Sequence, residues 1–265
     1  MMLHLALLWT NLGHAETASF STVVFSMGSG ETPDETPVRK VTLSPYQIDL
    51  TEVSIQDFER FVENGWEQDT FWTTEGIQWR TNNPEGAGAT HRRAGRDEDH
   101  PVVAVSWFEA DAYCRWKGGH LPTEAQWEQA ACRGQKEGRF AWGDDEMVEA
   151  PWYSAGKYGH LQSVLTKSVS DAPDTQQTED GLYHTTGNVW EWTADWYHSQ
   201  QYQAGDGQNP SGPNTGTWKT LRGGSFMNLP SYCTCTHREP ARPTRVAYTT
   251  GFRCAYSDNT KGVSK

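Results

Sequence analysis

The chain has 265 residues, with 22 Lys and Arg against 34 Asp and Glu, for a formal charge of −12. That balance argues against nucleic-acid binding, which needs a basic stripe to replace phosphate counterions, and it disfavours an anionic membrane surface. The 13 Trp, 10 Tyr and 9 Phe exclude a disordered chain, while 25 Gly and 13 Pro predict turns and short elements around large rings rather than a helical bundle.

Met1 to Ala15 reads as a signal peptide without the usual basic start, the alternative being a disordered extension. We take 1–22 as that extension, 23–257 as one folded domain and 258–265 as a tail. No stretch of about 18 apolar residues is present elsewhere, so no membrane span is expected. Val23 to Met27 reads as a strand running into the turn Gly28-Ser29-Gly30. Val38 to Leu50 alternates as a strand pair about Ser44-Pro45, and Ile55, Phe58, Phe61 and Val62 predict a helix from about Ser54 to Glu63 that Gly65 ends. Gly65 to Asp99 is aromatic and then polar, and reads as a long loop. Val102 to Val105 is an apolar run expected to be a buried strand. Ser106 with Glu109, and Thr123 with Gln126, are the pairs that cap helix starts, so two helices should follow, the first reaching Gly118-Gly119 and the second Gly134. From Phe140 onward only short strands and loops are expected.

The chemistry-bearing residues leave alternatives open. No G-x-S-x-G elbow, Walker loop or G-x-G-x-x-G is present, and the 9 histidines show no close metal spacing. Glu191 lies between Trp190 and Trp192, and a carboxylate among rings must be paired, protonated or bound to a metal. Carbonyls of the neighbouring Gly187 turn could join it around calcium, or it could pair with Arg222 or Arg253. Among the 5 cysteines, Cys233 reads either as a reactive or metal-binding thiol or as half of a disulfide. Cys233-Thr234-Cys235 is not a zinc spacing.

Several segments, taken in order, carry a resemblance. They are Phe25-Ser26-Met27-Gly28, Thr51-Glu52-Val53, His100 to Trp107, Ala112-Tyr113-Cys114, Leu121 to Glu128 and Ala141-Trp142-Gly143. Further along come Gly181-Leu182-Tyr183, Gly187 to Trp192, Arg222 to Phe226 and Gly251-Phe252-Arg253-Cys254. Over about residues 23 to 256 the chain resembles the sulfatase-modifying factor family, the formylglycine-generating enzyme domain. The resemblance implies an α+β, irregular C-type-lectin-like fold, low in regular secondary structure. It further implies oxidation of a cysteine in a Cys-x-Pro-x-Arg segment of a sulfatase, using dioxygen and copper(I) held linearly by two thiolates.

Residue by residue, the second thiolate matches Cys233, but the first falls on Asn228. Ser225, Tyr232 and Trp190 match pocket residues that position oxygen or the substrate thiol. Cys114 and Cys254 match a bridged pair, and Cys132 matches half of a second bridge whose partner here would be Cys235, leaving Cys233 free. Calcium is implied through the carbonyls of Gly187 and Val189 and the carboxylate of Glu191, with His184 at the position of the usual Asp or Asn. A second calcium site would lie between residues 150 and 171. Three functions are thereby expected. The first is a copper-dependent oxidase acting on a protein or peptide, a sulfatase among them. The second is a non-catalytic binding or accessory protein on the same fold. The third is another maturation chemistry using Cys233 and a histidine such as His237. An exported, monomeric protein is the accompanying expectation.

Overall fold

The computed structural model describes residues 16–86, 88, 97–132, 138–140, 143, 177–204 and 207–257. The signal-like segment, the Ala141-Trp142 motif, the 150–171 region and the tail lie outside the described residues.

Strands β1 (Thr17–Phe20), β4 (Tyr46–Asp49) and β9 (Ala255–Ser257) form one antiparallel sheet in the order β1-β4-β9. Strands β2 (Val23–Met27) and β3 (Arg39–Leu43) pair with each other, Phe25 opposite Val41. The strand pair expected about Ser44-Pro45 is thus corrected. Both strands exist, but they leave Ser44-Pro45 into different sheets, each finding an earlier strand as partner. The third sheet runs β7 (Glu239–Ala241), β6 (Lys219–Arg222), β5 (Trp190–Trp196) and β8 (Thr250–Gly251), with β5 and β8 parallel and the other pairs antiparallel.

Helix α1 (Ile55–Asn64) buries Ile55, Phe58 and Phe61, which recur on one face at helical spacing. Ser54 accepts from the Asp57 amide at its start, and Gly65 closes it by donating to the Phe61 carbonyl. The long loop expected over Gly65 to Asp99 is corrected in its first part. Residues Asp69–Phe71 form a 3-10 turn and Thr74–Asn82 form α2, capped by Thr73 Oγ1 on the Gly76 amide. Trp66 and Trp72 pack edge to face beneath it, ring centroids 5.0 Å apart.

Val102 to Val105 is buried as expected but is not a strand. Ala104 takes φ 56°, which breaks the pleat, and Pro101 makes only an isolated bridge to Ser54. Both capped helices are present. In α3 (Trp107–Trp116) Ser106 and Glu109 form the reciprocal capping box. At α4 (Glu124–Cys132) the Thr123 amide donates to Gln126 Oε1 at 2.9 Å and the Gln126 amide to Thr123 Oγ1 at 3.2 Å. A single turn, α5 (Gln201–Ala204), follows β5.

The core has two main bodies. One gathers Phe58, Phe61, Tyr113, Trp192 and Phe252 between α1, α3 and β5; the other gathers Phe20, Val41, Leu43, Tyr46 and Ile48 against Ala125 and Ala130 of α4. Two disulfides join distant parts of the chain. Cys114–Cys254 ties α3 to the start of β9, and Cys132–Cys235 ties the end of α4 to the loop after β6.

Candidate functional site: the pocket around Cys233

The loop leaving β6 is shaped by two glycines in left-handed conformation, Gly223 at φ 89° and Gly224 at φ 73°. A Cβ on Gly224 would run into Cys233 Sγ, so only glycine lets the two passes of the loop close on each other. Ser225 follows, fully buried. Its hydroxyl donates to Asn228 Oδ1 at 2.5 Å, and its carbonyl accepts from the Asn228 amide at 2.9 Å. A 3-10 turn over Pro230–Tyr232 then carries the chain back to Cys233, whose thiol faces the Ser225 carbonyl at 3.9 Å.

Cys233 is completely buried. Burial pushes its thiol up to about 12, with the Ser225 hydrogen bond only partly opposing. A thiol so desolvated stays protonated at neutral pH and is a poor nucleophile or metal ligand without a compensating cation. The other four of the 5 cysteines are bridged, so Cys233 is the only free thiol of the chain. Both pairings and the leftover thiol agree with the resemblance.

His237 joins the remaining pocket residues. Its ring lies 5.1 Å from that of Tyr232 and 5.8 Å from that of Trp190. Its Nε2 is buried without a hydrogen bond among the described residues, 3.9 Å from Glu239 Oε2. Trp190 is held at the start of β5, its amide donating to the Thr249 carbonyl at 2.7 Å. Tyr232 is 43% exposed, and Met227 and Leu229 on the same loop are 54% and 57% exposed, so the loop over Cys233 presents apolar side chains to solvent. The structure thus joins Ser225 to both Asn228 and Cys233 and links Tyr232 to Trp190 through His237.

Copper(I) held linearly by two thiolates does not fit this donor set. The position expected to supply the first sulfur carries Asn228, whose amide oxygen already accepts from Ser225. Cys235 is committed to Cys132. An amide oxygen is a hard, neutral donor and no second soft ligand is left among the cysteines.

The residues expected to hold calcium lie behind the pocket. Of the two readings of Glu191, the ion pair is the one present. Arg253 Nε donates to Glu191 Oε2 and Arg253 Nη2 to Oε1, both at 2.7 Å, and Trp127 Nε1 adds a third bond at 2.8 Å. Of the two arginines considered for it, Arg222 instead pairs with Glu128. His184 Nδ1 stands 2.9 Å from Glu52 Oε2, and Asn188 Nδ2 donates to Glu52 Oε1 at 2.8 Å. Burial alone would raise Glu52, but His184 and then Arg253 draw it below the usual carboxylate range. The set does not fit calcium. A guanidinium already supplies the positive charge to Glu191, and His184 offers nitrogen where a hard cation wants oxygen. The role of Glu52 is not legible in the sequence, because nothing local in Thr51-Glu52-Val53 says which distant group it meets.

This arrangement of small sheets and short helices among the described residues is the C-type-lectin-like architecture of formylglycine-generating proteins. PvdO of Pseudomonas aeruginosa superposes on it with a TM-score of 0.70, at 22% identity, over 91% of this chain and 94% of its own. The model of the sulfatase-modifying factor enzyme 1-like domain matches residues 15–258, and the chain belongs to that family. A formylglycine-generating enzyme of Streptomyces coelicolor is 36% identical over 87% of this chain and 84% of its own length. An inactive Cα-formylglycine-generating enzyme 2 of Bos taurus is 30% identical over 93% of this chain and 91% of its own.

Proposed function

We propose that the chain is a non-oxidising member of its family, whose pocket binds a segment of a partner protein without copper chemistry. The observation that carries this reading is the isolation of Cys233. It is the single free thiol, fully buried and held protonated, beside an Asn228 amide that Ser225 occupies. What the pocket retains is suited to holding a peptide. The exposed Met227, Leu229 and Tyr232 offer apolar contact, and the buried Ser225 and half-buried Asn228 set polar groups at the base. The family includes both enzymes and a relative named inactive, so loss of the oxidation step on an intact fold has a precedent. Two disulfides support an exported protein working in an oxidising compartment.

Oxidation of a sulfatase cysteine remains the second reading, favoured by Ser225, Tyr232, Trp190 and Cys233 all standing at the matched positions. One experiment separates the two. A Cys-x-Pro-x-Arg peptide is incubated aerobically with the protein and copper(I) and followed by mass spectrometry, with an active family enzyme as control. The expected result is an unchanged peptide. Conversion to formylglycine, abolished in Cys233→Ala, would overturn the proposal.

A further inference from the structure

Behind the pocket, the segment from His184 to Glu191 folds in an unusual conformation. His184 (φ 57°) and Asn188 (φ 58°) are both left-handed, as is Gly187 at φ 86°. Left-handed backbone is unfavourable for residues with a Cβ and persists only where the surroundings hold it. Here each is held through its side chain, since His184 and Asn188 both reach the buried Glu52. The Asn188 carbonyl also accepts from the Phe226 amide at 2.9 Å, which joins this segment to the pocket loop.

Arg253 supplies the second set of ties. Its guanidinium has five N–H donors, and all are used. Two go to Glu191, as described. Nη1 donates to the carbonyls of Asp49 at 3.1 Å and Leu50 at 2.9 Å, and Nη2 donates to the Tyr183 carbonyl at 2.7 Å. One buried cation therefore binds one carboxylate and three carbonyls from three separate stretches of chain, which is the work a bound metal ion does in joining loops. Calcium would need six or more oxygens at this place. Its binding to Glu191 would compete with a guanidinium that has no other carboxylate hydrogen-bonded to it among the described residues.

We infer that Arg253 is the resident cation of this site, and that the His184–Glu191 segment is organised by Arg253–Glu191 and by His184 and Asn188 on Glu52, without calcium. The inference stands independently of whether the Cys233 pocket oxidises or only binds.

Long-wavelength anomalous diffraction from crystals of the full chain, grown in millimolar calcium, tests it at this position irrespective of calcium elsewhere. The expected map has no anomalous peak near Glu191 or the carbonyls of Gly187 and Val189, with Arg253 still bidentate on Glu191. A peak coordinated by those three groups, with Arg253 turned away, would overturn it.

Discussion

The ion-pair framework around β5 and β6 and the pocket at Cys233 are built on opposite principles. On one side lie buried ion pairs in which each guanidinium faces at least one carboxylate. Arg238 donates to Glu124 at 2.6 and 3.0 Å, Arg222 meets Glu128, and Arg253 uses every donor it has. On the other side lies the Cys233 pocket, where a thiol has a single weak partner and His237 Nε2 has no hydrogen bond among the described residues. Buried charges tolerate no missing partner, because an unpaired ion in the interior costs several kcal/mol, roughly 3–5. A buried neutral thiol costs little, since it behaves as a small hydrophobe. The framework therefore resists change, while the pocket can lose a ligand and keep its shape.

That contrast is breakable by mutation. Arg253→Ala strands Glu191 and leaves three carbonyls without their donor, so chemical denaturation should show a loss of about 3–5 kcal/mol or outright failure to fold. Replacing Cys132 and Cys235 together by Ser frees a loop of sequence separation 103 beside the pocket. Chain entropy sets an upper figure of about 4.7 kcal/mol for a loop of this length and bridges typically contribute about 2–4 kcal/mol, so a loss in that range is expected in the same measurement under oxidising conditions.

Asp195 sharpens the comparison through pH. Its Oδ2 accepts from the Glu124 amide at 2.8 Å, and burial, then the nearby Glu124 charge, pushes its carboxyl from 3.8 up to about 7. The folded state therefore binds this proton more tightly than the unfolded chain, and stability falls as pH rises through that window. In Asp195→Asn this contribution to the fall is removed, so the thermal midpoint should change less between about pH 5 and about pH 8 than in wild type. Part of the fall should persist from Asp49, which burial holds at about 6. An unaltered pH profile would mean that Asp195 is ionised in the fold. The smallest effect belongs to the pocket itself. Asn228 is half-buried, but its Oδ1 accepts from the buried Ser225 hydroxyl, so Asn228→Ala should cost about 1 kcal/mol.

Legibility in the sequence follows the range of the interactions. Ser106 with Glu109 and Thr123 with Gln126 act over three residues, and both pairs are readable from the amino-acid sequence alone. The stripe Ile55, Phe58, Phe61 is equally local. Helix α2 is not legible, because TEGIQWRTN carries no continuous apolar stripe and rests on rings supplied by Trp66, Trp72 and Phe108. Nor are the partners of β3 and β4, since alternation marks a strand but not its neighbour. Val102 to Val105 resembles a strand in apolarity alone, and the left-handed Ala104 is invisible in composition. At the site, Glu191 visibly needs a partner, but choosing Arg253 over Arg222 requires knowing that Glu128 lies beside Arg222. The disulfide pairs and the pocket residues come from the family resemblance, which the fold upholds for both bridges.

On the proposed reading the pocket lacks a copper(I) site because Asn228 stands where the resemblance puts one thiolate. Competition for copper(I) against a chromophoric chelator, comparing wild type with Asn228→Cys, tests it most directly. Wild type should take no copper from the chelator, whereas the variant, with a second thiol on the same loop as Cys233, should take one equivalent. Tight copper(I) binding by wild type, lost in Cys233→Ala, would contradict it.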